Sequence, residues 1–179
     1  MRLASRPIVS CLAVVLVGSV SLLANHKGPP AEVTGGFRED TCNSCHDTYA
    51  LNEGRRQSLG DVVITGFPAS YQPGESYPIK LEVTHVKDRD LWGFELATRF
   101  KDGSQAGHLK SVDGNSQILS EKGIEYIQHT ADGTFSNVFT FTWTAPDAAM
   151  GEVSVHAAAN AANADADTTG DYIYSTALT

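Results

Sequence analysis

From Asp61 onward the chain is a succession of short runs in which apolar and polar residues alternate, broken by turn residues at intervals of roughly 8 to 12 residues. In Ile79-Lys80-Leu81-Glu82-Val83-Thr84 and Val138-Phe139-Thr140-Phe141-Thr142-Trp143 the apolar positions recur with period two. A helix cannot gather such a pattern on one face, whereas a strand does so automatically, one face packing inward and the other meeting water. The pattern predicts strands near Asp61 to Phe67, Ser76 to His85, Trp92 to Lys101, Gly107 to Lys110, Gln117 to Ser120, Ile124 to Thr130, Ser136 to Thr144, Gly151 to Ala159 and Tyr172 to Ala177. Pro73-Gly74, Asp102-Gly103, Asp113-Gly114 and Asp132-Gly133 supply turns between them, since Gly accepts positive φ and Asp bonds its own backbone. No long helix and no internal repeat is visible. The alanine- and asparagine-rich stretch from Ala157 to Ala166 reads as a strand end running into a loop. The fold class is therefore all-β, a single β-sandwich over residues 61–179.

The residues ahead of it have a different character. Arg2 and Arg6 precede an uncharged apolar run from Ile8 to Ala24, the layout of a secretory signal over residues 1–24, with cleavage near Ser21 or Ala24. An uncleaved membrane anchor is the alternative, because the run is only slightly shorter than a spanning helix requires. Cys11 lies near the start of that run rather than after it, so processing there would leave no apolar stretch upstream, which discounts a lipid-modified cysteine. Residues 25–60 form a lead-in and a cysteine segment. Asn25 to Asp40 is rich in Gly and Pro and reads as extended chain, and Thr41 to Leu51 suits one or two helical turns that stop before Gly54. The first 24 residues hold two of the 13 basic residues and none of the 21 acidic ones, so the remainder carries a formal charge of −10. Such a surface repels nucleic acid and anionic lipid, leaving the N-terminal segment as the only membrane contact.

Cys42-Asn43-Ser44-Cys45-His46 is the pattern to which c-type haem is attached. Two residues between the cysteines let both thiols meet the vinyl groups of one porphyrin, and the adjacent imidazole then comes up beneath the iron. Cys42 and Cys45 would form the thioethers and His46 the proximal ligand. Export agrees with that assembly. Three other uses of the same residues compete: a local disulfide, which an oxidising compartment favours; a redox-active dithiol, which normally sits in a βαβ context absent here; and zinc, which lacks a fourth ligand at the usual spacing.

For the second axial position the chain offers His26, His85, His108, His129, His156 and Met150. His129 is favoured because it closes the run from Ile124 to Thr130 and so lies at a loop end of the sandwich. His26 is the runner-up, and Met150 would raise the potential. Asn160, Asn163, Asp165, Asp167 and Asp171, with Gly170 beside them, make an oxygen-rich loop that could take calcium, although the spacing is not that of an EF-hand and a solvated acidic turn competes. No Ser-His-Asp arrangement, phosphate loop or carboxylate pair is recognisable, so the chain is not read as an enzyme.

The order of several short blocks resembles bacterial proteins with a Reelin-like domain (Reeler, or choice-of-anchor V). The blocks are Gly28-Pro29-Pro30, Thr34-Gly35-Gly36, Thr41-Cys42-Asn43-Ser44-Cys45-His46, Tyr71-Gln72-Pro73-Gly74, Trp92-Gly93-Phe94-Glu95-Leu96, Gln128-His129-Thr130, Trp143-Thr144-Ala145-Pro146, the stretch from Ala158 to Asn163, and Gly170-Asp171-Tyr172-Ile173-Tyr174. The resemblance runs over roughly residues 26–178 and implies an immunoglobulin-like sandwich. It implies no defined activity, and eukaryotic Reeler domains lack the cysteine motif, so haem rests on the motif alone. The expectation is a periplasmic or secreted monohaem protein that carries or senses electrons with an unknown redox partner. The alternative is an extracellular binding or adhesion module with a Cys42–Cys45 disulfide and no haem.

Overall fold

The computed structural model describes residues 25–86 and 88–179; the expected leader lies outside them. Among the described residues there are nine strands: β1 (Gly60–Thr65), β2 (Ser76–His85), β3 (Leu91–Phe100), β4 (His108–Ser111), β5 (Ser116–Glu121), β6 (Ile124–His129), β7 (Val138–Thr144), β8 (Val153–Ala162) and β9 (Tyr172–Leu178). Each corresponds to an expected strand, with ends displaced by no more than three residues. They form two antiparallel sheets, β1-β2-β7-β4 and β5-β6-β3-β8-β9. Among the described residues no helix is long and apolar enough to cross a membrane.

The core lies between the sheets. The four-stranded sheet contributes Val62, Ile64, Ile79, Leu81, Val83, Phe139, Phe141 and Trp143, and the other contributes Phe94, Leu96, Val155, Ala157, Ala159 and Ala161. The small alanines of β8 share this core with the bulky side chains of β3 and β7, where Phe94 and Phe139 are in ring contact at 4.3 Å. Strands β2 and β7 keep one wet face, as their alternation predicts.

β3 departs from that rule. From Gly93 to Phe100 every residue is buried, on both faces of the strand. The lead-in covers its outer face. Ala31 packs on Ala97, Ile124 and Tyr126, the Val33 amide donates to Glu95 at 2.8 Å, and the Glu39 carboxylate pairs with Arg99 and accepts from the Tyr126 hydroxyl. The lead-in, expected as extended chain, is packed on the sandwich: Val33 and Thr34 are buried, and Thr34 bridges Thr41 to close a small loop.

Of the one or two helical turns expected over Thr41 to Leu51, one is present. A single 3₁₀ turn spans Cys42–Ser44, and the short helix α1 (Glu53–Arg56) contains Gly54 instead of stopping before it. The Thr41 side chain accepts from the Asn43 amide, starting the turn. The Asn43 side-chain amide then bonds the carbonyls of His46 and Tyr49, which holds the chain out of helix. Gly54 is needed inside α1 because a Cβ there would lie 2.1 Å from the Tyr174 hydroxyl. Asp132-Gly133 likewise does not make a hairpin; it opens a 3₁₀ turn, Asp132–Phe135, where the chain passes from one sheet to the other.

Candidate functional site

At one end of the five-stranded sheet the lead-in, the cysteine turn and the loop between β8 and β9 rise around a pocket. Its cavity volume is about 160 Å³, below the usual range of small-molecule and cofactor sites, and its mouth is open to solvent. Its apolar walls come from Pro29, Pro30, Val33, Leu91, Trp92 and Phe94. Cys42, Cys45 and His46 line it, and so do His26 and His129. The fold thus brings together the whole motif, the favoured second ligand and the runner-up, although His129 is 83 residues from His46.

The cysteine turn is fixed to the sandwich through the last strand. Tyr49 stacks on Tyr172 at 4.1 Å between ring centres, the Asn52 amide donates to the Ile173 carbonyl at 2.9 Å, and the Gly170 amide donates to the Thr48 hydroxyl at 2.9 Å. His46 Nδ1 stands 2.7 Å from Asp171 Oδ2. Asp171 also accepts from the Asn160 side-chain amide and the Asn163 backbone amide, each at 3.0 Å. The Asn160 Oδ1 atom is buried with no partner beside the pocket.

Both cysteines are unbridged thiols. Burial, reinforced by the charge of Glu95, pushes the Cys42 thiol up to about 12. A redox-active dithiol needs the opposite shift, toward thiolate. The Glu95 carboxyl is fully buried and is raised to about 8, mainly by burial, with the Val33 amide acting against the shift. Burial also holds the His129 imidazole below the ordinary histidine value; the Phe94 and Asn25 backbone oppose this, and the charges of His26 and His46 add to it. His129 Nδ1 lies 3.1 Å from the Phe94 nitrogen and 3.3 Å from its carbonyl oxygen. At the shorter distance the Phe94 amide donates to Nδ1, which leaves the proton of the neutral ring on Nε2.

The other second-ligand candidates lie elsewhere. His85 is bonded to the Tyr174 hydroxyl at 2.7 Å, His108 faces Glu125, and His156 packs edge-on against Phe37. Met150 is exposed at the corner where its amide donates to Tyr71. Among the described residues no three His, Cys, Asp or Glu side chains converge as a metal site would require, which bears on the zinc alternative. In the acidic loop, Asp165 and Asp167 accept from neighbouring loop amides, while Asp171 turns inward to His46. Asp171 and Asn160 are the site residues that the sequence reading did not assign to His46; only a spatial neighbourhood reveals them.

No curated protein matches the chain. Among solved structures, the Reelin-N domain of F-spondin is similar at a TM-score of 0.50 and 20% identity, covering 76% of this chain and 94% of that one. The human F-spondin reeler domain is similar at a TM-score of 0.47 and 21% identity, covering 67% and 87%. A cohesin module from Clostridium perfringens is similar at a TM-score of 0.44 and 13% identity, covering 68% and 96%. At these identities the first of these likenesses speaks for the sandwich fold, and the other two carry no argument. The model of the Reeler domain matches residues 43–163, more than half of the sequence, from within the cysteine motif to the end of β8. The chain belongs to the Reeler domain family.

Proposed function

We propose that this Reeler protein is exported and holds one haem covalently through Cys42 and Cys45, with His46 as proximal ligand, serving as an electron carrier or redox sensor. One observation carries the reading: both thiols and the His46 imidazole line the same largely apolar pocket as His129 and His26. A bound haem would supply a one-electron couple, tuned by its axial ligands and its burial. The chain's own contribution is to fix the cysteine turn against β9, to exclude water with Pro29, Pro30, Val33, Leu91, Trp92 and Phe94, and to offer a second imidazole, His129, from the end of β6. No catalytic step is assigned to it.

The family membership favours a second reading, a binding or adhesion module with Cys42 and Cys45 joined to each other, since sandwich domains host many binding roles. Expression alongside cytochrome c maturation machinery separates the two. A covalent adduct of one haem with a c-type absorption spectrum, lost in the Cys42→Ala/Cys45→Ala double variant, supports the first. Colourless protein with its two thiols joined only to each other, under those same conditions, sinks it and leaves the second.

A further inference from the structure

We infer that Asp171 is the positioning residue for His46, accepting a hydrogen bond from the Nδ1 proton so that Nε2 keeps the imidazole's free lone pair. The inference rests on the proposal that His46 ligates a haem iron, and deepens it. Asp171 is 1% exposed and His46 14%, so the 2.7 Å contact between them is shielded from competing water. The carboxylate is held from two further directions. Asn160 Nδ2 donates to Oδ2 and the Asn163 amide donates to Oδ1, both at 3.0 Å.

Hydrogen-bond chemistry then fixes the tautomer. A carboxylate only accepts, so the proton in the contact belongs to Nδ1. Asn160 Nδ2, 3.4 Å from Nδ1, is itself a donor and so makes no bond to the protonated nitrogen; it donates to Asp171. A carboxylate behind a ligating imidazole orients the ring and strengthens the opposite nitrogen as a donor. A stronger donor favours ferric over ferrous iron, so Asp171 would lower the potential of the site. The residue sits at the mouth of the loop between β8 and β9, one position before Tyr172, which pairs with Ala161; the hairpin therefore delivers it beside Asn160 and under the cysteine turn.

The test uses the full chain with Asp171→Ala and with Asp171→Asn, whose side-chain oxygen still accepts while the charge is gone. In the haem-free protein, ¹⁵N spectra of labelled histidine should show His46 protonated at Nδ1 in the parent and in Asp171→Asn, and shifted toward the Nε2-protonated form in Asp171→Ala. In haem-loaded protein, Asp171→Ala should raise the ratio of ferrous to ferric haem at a fixed ambient potential about tenfold, or about 59 mV for one electron, with Asp171→Asn in between. An unchanged tautomer together with an unchanged ratio in folded Asp171→Ala overturns the positioning role while the haem reading stands. A parent chain that takes up no haem overturns the ligand role at its source, and that result is read without any variant.

Discussion

Gly93 on β3 leaves open the volume that the His129 imidazole occupies at the end of β6: a Cβ at position 93 would lie 2.9 Å from Cε1 and 3.1 Å from Nδ1. The contact joins a backbone position in the wall of the pocket to the side chain proposed as its second ligand. Gly93→Ala should therefore push the ring out of place and cost about 1–3 kcal/mol in urea denaturation. Gly114→Ala, whose Cβ would meet nothing within 4 Å, is the matched control and should stay within about 0.5 kcal/mol. Equal effects at the two positions would show that His129 tolerates displacement.

Glu95 makes stability depend on pH in an unusual sense. Its folded-state value of about 8 lies above the ordinary 4.5, so between these values the folded chain keeps a proton that the unfolded chain has released. Stability is then greatest below about pH 4.5 as far as this group is concerned, and falls as pH rises until about 8, by roughly 3–5 kcal/mol. Glu95→Gln keeps an acceptor for the Val33 amide and removes the titration. Denaturation curves across that window should flatten in the variant, which should also be the more stable chain above pH 8; a parent curve flat from pH 5 to 8 contradicts the assignment.

Arg99 and Glu39 hold the lead-in to the outer face of β3 with side chains 11% and 6% exposed. Arg99→Met strands the Glu39 carboxylate in a buried position with only the uncharged Tyr126 and Thr34 hydroxyls as donors, which should cost about 3–5 kcal/mol. Pairing it with Glu39→Gln should recover most of that loss. Limited proteolysis supplies a second measurement: residues 25–40 should be cut faster in the single variant than in the parent.

In haem-loaded protein the second-ligand candidates should sort by location. His129→Ala should alter the ferric absorption spectrum, since that ring lines the pocket. Met150→Ala should leave it unchanged, since the side chain is 65% exposed and stands at the Tyr71 corner. A spectral change on replacing Met150 would contradict the site as described.

The strand pattern was readable because alternation is local: each of Ile79, Leu81 and Val83 declares its own face to its neighbours two residues away. Burial of the outer face of β3 was less readable, because the covering residues Ala31, Val33 and Glu39 lie some sixty positions earlier in a Gly- and Pro-rich stretch with no periodicity. Lys122-Gly123, with both residues at positive φ, makes the tight turn between β5 and β6. No turn signal marks it in the sequence, because lysine seldom adopts that conformation and Asn, Asp or Gly usually stands there.

Asp171 is the sharpest case. In sequence it is one of several oxygen donors in an acidic loop, equivalent to Asp165 and Asp167. In space those two serve amides of their own loop, and Asp171 alone faces inward to an imidazole 125 residues away.

The sequence alone determined the all-β class, the number and placement of the strands, and the presence of two thiols beside one imidazole. These are properties of neighbouring residues and need no knowledge of how the chain returns on itself. Tertiary structure decided what surrounds that imidazole: the carboxylate behind it, the second and third histidines across the pocket, and the apolar walls that keep water out. Such neighbours come from segments that meet only when two sheets pack and a hairpin closes over them, and no local pattern of residues encodes that meeting.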